Sequence, residues 1–254
     1  MKIRLFFGGM IVALVAAAAA ACSDASGNKN SVLSIEFDSL ASPSVVLGDT
    51  LRDTTGVVVR PVVRVFNYEG DEIPATNVRF QSGDRGVRVD SLTGIVTADS
   101  LRTTPARVIA SVGSLQAVQQ VAVTLRPETV RAVNGRDSLL YSLVDSTLNV
   151  SPRLTVKVAH GANPPDSAVT SYVVSFAIVA GQSSQLAELV NDVGRQSRVD
   201  TTDASGIAGR AVRVRPVFLG ALTDSVLVDA TVKYRGQQVS GSPVRLVLRV
   251  RPRS

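Results

Sequence analysis

The chain has 254 residues, 45% hydrophobic but only 4% aromatic, so its core must be built mainly from Val, Leu and Ala. With 19% charged residues it is not wholly disordered, and one Cys with one His excludes a disulfide framework, a cysteine zinc site, a histidine metal cluster and a Cys/His nucleophilic pair. The formal net charge is +6, carried by 27 basic against 21 acidic residues.

Lys2 and Arg4 precede an uncharged run over residues 5–21, which ends in small residues before Cys22. This is the pattern of an export signal. The run has the length of the shortest membrane spans, and its second half is mainly Ala, which partitions weakly, so a cleaved leader is favoured over a permanent span. Ala19-Ala20-Ala21-Cys22 resembles the lipobox of bacterial lipoproteins, although Ala19 stands where that motif usually has Leu. The resemblance implies a signal peptide over 1–21 and a covalent lipid on Cys22 as membrane anchor. Several acyl chains, each buried CH₂ contributing about 0.8 kcal/mol, make such an anchor stable. Residues 22–31 are small and polar and read as a tether. In the lipoprotein resemblance, Ser23 after the cysteine implies the outer rather than the inner membrane.

Without Lys2 and Arg4 the count becomes 25 basic against 21 acidic, a balance of +4. Nearly all the cations are Arg, spread along alternating segments without interleaved stacking aromatics, so no nucleic-acid partner is expected. Arg249, Arg251 and Arg253 could touch anionic lipid or polysaccharide but read better as a charged, fraying end.

From residue 32 onward short Val-rich runs alternate with Gly, Pro, Asn and Asp breakers, which predicts an all-β chain. Strands are expected over 32–37, 44–47, 57–66, 77–81, 87–90, 94–98, 106–112 and 116–125. In 106–112, Ala106, Val108, Ala110 and Val112 share one face. Phe80, the Asp90-Ser91-Leu92-Thr93-Gly94 turn and Val96-Thr97-Ala98 make residues 32–126 resemble the group 2 type of bacterial immunoglobulin-like domain, with Phe80 where that family usually has Trp. Asp90 would cap the turn and Gly94 would take positive φ. Arg126-Pro127-Glu128 reads as the boundary, with a second domain over 127–254.

There, strands are expected over 139–144, 153–159, 170–180, 197–202, 208–217, 225–234 and 243–251, with Tyr172, Val174, Phe176 and Ile178 on a core face. Asn134-Gly135 suggests an extra hairpin in 130–149, and Gln185 to Val193 one helical turn. The segment Thr202-Asp203-Ala204-Ser205-Gly206-Ile207-Ala208 resembles the group 1, invasin- and intimin-like type of bacterial immunoglobulin-like domain, with Asp203 and Gly206 as turn formers. The resemblances together imply two tandem immunoglobulin-like β-sandwiches.

No catalytic residue is assigned. His160 stands alone, and neither a G-x-S-x-G elbow, a P-loop nor an H-E-x-x-H motif occurs. Asp200-Thr201-Thr202-Asp203 lacks the oxygen count of a calcium loop, so no metal is expected. Tyr68, at a loop tip, is the one candidate glycan platform and reads better as a turn residue. The expectation is a non-enzymatic, lipid-anchored envelope protein. It would have no cofactor beyond the lipid on Cys22 and no small-molecule substrate, and would serve adhesion to an envelope protein or surface glycan. The alternative is an envelope spacer without a tight ligand.

Overall fold

The computed structural model describes residues 31–75, 77–145, 147, 149–161, 166–179, 187–215 and 224–253. The leader, Cys22 and the tether up to residue 30 lie outside the described residues. No α-helix occurs among the described residues, and every described element is a strand.

Nine strands form the first unit: β1 (Ser34–Phe37), β2 (Ser44–Val46), β3 (Val63–Phe66), β4 (Glu72–Ile73), β5 (Arg79–Ser82), β6 (Val87–Val89), β7 (Val96–Ala98), β8 (Ala106–Val112) and β9 (Leu115–Thr124). One sheet runs β2-β9-β8-β5, with β2 parallel to β9; the other side is built from β1-β3-β4 and the β6-β7 hairpin. Period-two patterning decides the faces. Ala106, Val108, Val121 and Val123 turn inward onto Val45, Leu51, Val87 and Val96. In the 57–66 run, where both parities are apolar, Pro61 and Val65 are buried and Val62 is exposed.

Twelve strands form the second unit: β10 (Thr129–Asn134), β11 (Arg136–Tyr141), β12 (Leu154–His160), β13 (Ser167–Ala168), β14 (Val173–Ile178), β15 (Ala187–Val190), β16 (Val199–Thr201), β17 (Ile207–Val214), β18 (Asp224–Thr231), β19 (Lys233–Tyr234), β20 (Gln237–Gln238) and β21 (Val244–Pro252). Its sheets run β10-β12-β17-β15 and β11-β21-β18-β14-β16. In immunoglobulin lettering these are A-B-E-D facing G-F-C, with β11 added in parallel on the G strand and β16 antiparallel on the C strand. The core is one cluster centred on Tyr141, Leu154, Val174, Phe176, Leu246 and Leu248. Both units are immunoglobulin-like β-sandwiches.

Three sequence expectations are corrected. Residues 130–149 do not make a hairpin: β10 pairs with β12 and β11 pairs with β21, so the chain crosses between sheets at Gly135. Val130 on one sheet and Leu139 with Tyr141 on the other all enter the same core, a gain that a free-standing hairpin lacks. Within Gln185 to Val193 the described part is not helical: Ala187, Leu189 and Val190 are buried in β15 against β17. The C-terminal arginines do not fray, because β21 runs to Pro252 and the Arg253 N–H donates to the Tyr141 carbonyl.

Candidate functional site

Asp90 Oδ1 accepts the Leu92 and Thr93 N–H groups at 3.1 and 2.7 Å and the Thr93 hydroxyl at 2.8 Å. The backbone N–H of Thr93, then its hydroxyl, draws the carboxyl below its usual range. Gly94 has φ 72°, and a Cβ there would lie 3.1 Å from the Phe80 ring. In the other sandwich, Asp203 Oδ1 accepts from Ser205 and Ile207 N–H at 2.8 and 3.0 Å, and Gly206 has φ 77°. These four residues shape two separate turns and do not converge on one site. Asp200 is engaged by Arg210 and Arg153 at 2.8 and 2.9 Å, which occupies the carboxylate considered for calcium. Among the described residues no group of three or more His, Cys, Asp or Glu could hold a metal ion. His160 Nδ1 lies 3.1 Å from the Arg126 carbonyl and 3.5 Å from the Glu128 carboxylate, beside the link between the sandwiches. Tyr68 is exposed, and its hydroxyl donates to Glu69 at 3.1 Å.

The polar constellation that does converge lies where the two sandwiches meet. Strand β2 ends in a turn that buries Asp49, its side chain only 4% exposed. Asp49 Oδ1 accepts the Thr50 N–H at 2.8 Å, and Arg52 Nε approaches both oxygens at 3.3 Å. From the second sandwich, the Tyr234 hydroxyl and Arg235 Nε donate to Oδ2 at 2.9 and 2.8 Å. Burial pushes this carboxyl up; Arg235, the Thr50 N–H, Tyr234 and Arg52 outweigh it and hold the group well below the usual carboxylate range.

The β19-β20 hairpin delivers these donors. Arg235 and Gly236 both have positive φ, 50° and 80°, the geometry of a two-residue type I′ turn. The Tyr234 ring sits under the guanidinium groups of Arg126 and Arg235, 5.1 and 5.4 Å from its centroid. At the tip the two backbones touch: a Cβ on Gly56 would lie 2.2 Å from the Gly236 nitrogen. Sequence reasoning missed this joint, because 225–234 reads as one strand and nothing local singles out Asp49. The legible signal was Tyr234-Arg235-Gly236-Gln237, a positive-φ glycine between short polar strand ends.

Beside the joint opens a cleft of about 320 Å³. On β2, Val45 enters the first core while Ser44 and Val46 face the other way, into the cleft. On the second sandwich, Val174 and Ala230 enter the core, and Val173, Ser175 and Thr231 line the opposite wall with Lys233. Ser44 is 4% exposed, and its hydroxyl has no hydrogen-bond partner among the described residues.

Farther along the same outer face of the β11-β21-β18-β14-β16 sheet lie Arg136, Arg249 and Arg251. Parallel pairing sets Ser138 beside Arg249 and Leu140 beside Arg251. These three exposed arginines have no carboxylate partner among the described side chains, whereas Arg245 on the same strand is held by Asp229 at 2.8 Å.

No protein-family model matches the chain, and no curated protein matches it. Among solved structures it is similar to domains 4 and 5 of the S-layer protein SbsC, at 14% identity over 86% of this chain and 98% of that one, with a TM-score of 0.32. It is also similar to the Yersinia pseudotuberculosis adhesin InvE, at 16% identity over 85% of this chain and 58% of that one, TM-score 0.31. Mouse cadherin-23 EC22-24 gives 12% identity over 87% of this chain and 64% of that one, TM-score 0.30. The fold assignment rests on the strand order given above.

Proposed function

We propose that the chain is a non-catalytic interaction module of the bacterial cell envelope, a lipoprotein anchored through acylated Cys22 to the outer membrane. Residues 22–31 would serve as its tether, 32–126 as a group 2-type and 127–254 as a group 1-type immunoglobulin-like domain. The observation that carries the interaction reading is the outer sheet face of the second sandwich. Ordered strands hold Arg136, Arg249 and Arg251 there without an ion-pair partner among the described side chains, the nearby Asp137 carboxylate being taken up by Asn134 and the Ser138 N–H, although this chain pairs many of its other arginines. An unneutralised set of guanidiniums on a rigid surface is suited to recognising carboxylate or phosphate groups of a partner.

A second reading, a stiff spacer, is favoured by the buried Asp49 joint, which restrains one sandwich against the other. The two are separated by crosslinking in intact cells. A photo-crosslinking residue in place of Ser138, beside Arg249, should capture a specific partner if this face is the contact. Recovery of nothing from that position, with the protein folded and in the envelope, leaves the spacer.

A further inference from the structure

We infer that the joint cleft and the arginine face form one continuous site for an acidic polysaccharide, with a sugar unit seated in the cleft and the chain running down the sheet. This rests on the interaction reading above and names its ligand class. The cleft, at about 320 Å³, is at the small end of ligand sites and is walled by strand faces that point away from both cores. Its defining feature is the Ser44 hydroxyl, buried and unpaired. A buried hydroxyl without a partner is costly, and a turn of the Ser44 side chain toward the cleft would let a ligand hydroxyl satisfy it. Thr231 and Ser175 stand on the facing wall. Asp49 is neutralised by Arg52 and Arg235, and Asp53 is spent on the Thr55 and Val57 N–H groups and the Thr55 hydroxyl. Lys233 on the rim has no carboxylate partner among the described residues. The cleft therefore offers hydroxyl-directed groups with one spare cation, which suits a polyhydroxylated ring bearing a carboxylate.

From Thr231 the outer face of β18 continues through Asp229 and Leu227 to Ser225, a distance of about 20 Å at the rise of a strand. Beside it, Val247 and Arg249 on β21 and Arg136, Asp137 and Ser138 on β11 wall a shallow depression, with the Asp137 carboxylate accepting from Asn134 Nδ2 and the Ser138 N–H. A linear acidic glycan lying from cleft to depression meets a cation at both ends. Tyr172 and Tyr234 line the cleft, whereas the outer positions of β11, β18 and β21 carry no aromatic ring, so a stacking platform is confined to the cleft end and the sheet face offers only charge and hydroxyls.

The test uses the full chain in detergent micelles with linear tetragalacturonate as probe, maltotetraose as the neutral counterpart, and phosphatidylglycerol in the same micelles and oligothymidylate as competitors. Tetragalacturonate should bind about tenfold tighter than maltotetraose and lose affinity with salt. Arg249→Ser with Arg251→Ser should weaken it about tenfold and flatten the salt dependence. Ser44→Ala with Thr231→Val should weaken it severalfold while leaving the salt dependence in place. Arg79→Ser, which removes an exposed arginine from β5 of the first sandwich, should change nothing. Equal binding of acidic and neutral tetrasaccharides overturns the inference, as does equally strong competition by phosphatidylglycerol or oligothymidylate, or indifference to both double variants. If tetragalacturonate fails while the probe at Ser138 crosslinks a protein in cells, the glycan is wrong and the contact face stands. If neither gives a product, both fall.

Discussion

Gly94 and Asp49 show how far a single residue can be held to one identity. Gly94 sits at φ 72°, with space for a Cβ only against the Phe80 ring at 3.1 Å. Gly94→Val therefore combines a left-handed backbone penalty with displacement of a core ring, and should destabilise the first sandwich by about 1–2 kcal/mol. The check is a lowered denaturant midpoint for that sandwich; an unchanged midpoint would mean the turn relaxes freely. Asp49→Asn removes the charge that Arg235, Arg52 and Tyr234 converge on, interactions worth about 1.5–3 kcal/mol when a buried charged acceptor is lost. Because its folded pKa is depressed, the carboxylate's contribution is complete above its unfolded value of about 3.9 and is lost as pH falls through the folded value. The gap in Tm between native chain and Asp49→Asn should thus be constant near neutrality and shrink below about pH 4. A gap that grew with acid would contradict the assignment. Asp90 and Gly94 could be read from the chain because a capping carboxylate and a positive-φ glycine act locally. Asp49 could not, because its partners are 185 and 186 residues away.

Among the elements, β8 is as the sequence draws it, Ala106–Val112 with alternate residues buried, because alternation on one half-buried face is a local signal. β15 was not legible: Leu189 and Val190 are both buried on adjacent positions, which breaks the period-two pattern and invites a helical reading. The β10-to-β11 crossing was equally hidden, since Asn134-Gly135 carries a hairpin's composition while the pairing partners of the two strands lie elsewhere in the chain. The last strand is where this matters most for stability. Val250 is fully buried, and residues 249–252 pair with Ser138–Tyr141 of β11. Deleting residues 249–254 should expose core and leave Ser138–Tyr141 of β11 without a pairing strand, so amide exchange should accelerate there while β8 and β9 keep their protection. Protection retained on β11 would show that its order is independent of β21.

For the whole molecule, two separate apolar clusters, one within residues 45–123 and one within 130–250, are bridged by one buried carboxylate and a backbone contact at Gly56 and Gly236. Small polar joints between domains normally permit relative motion. Here the Asp49 joint opposes it, as the proposed membrane-tethered module would require. The proposed anchor would use the single cysteine of the chain, Cys22, as its lipid thioether. Cys22→Ala should leave both sandwiches folded, since the described strands begin at Ser34, yet move the protein out of the membrane fraction or leave its leader uncleaved. Fractionation with metabolic acyl labelling reads the outcome. Unchanged membrane partition and labelling would show that attachment lies elsewhere, whereas loss of labelling with the same thermal transitions would place the anchor at residue 22 and separate it from the fold it carries.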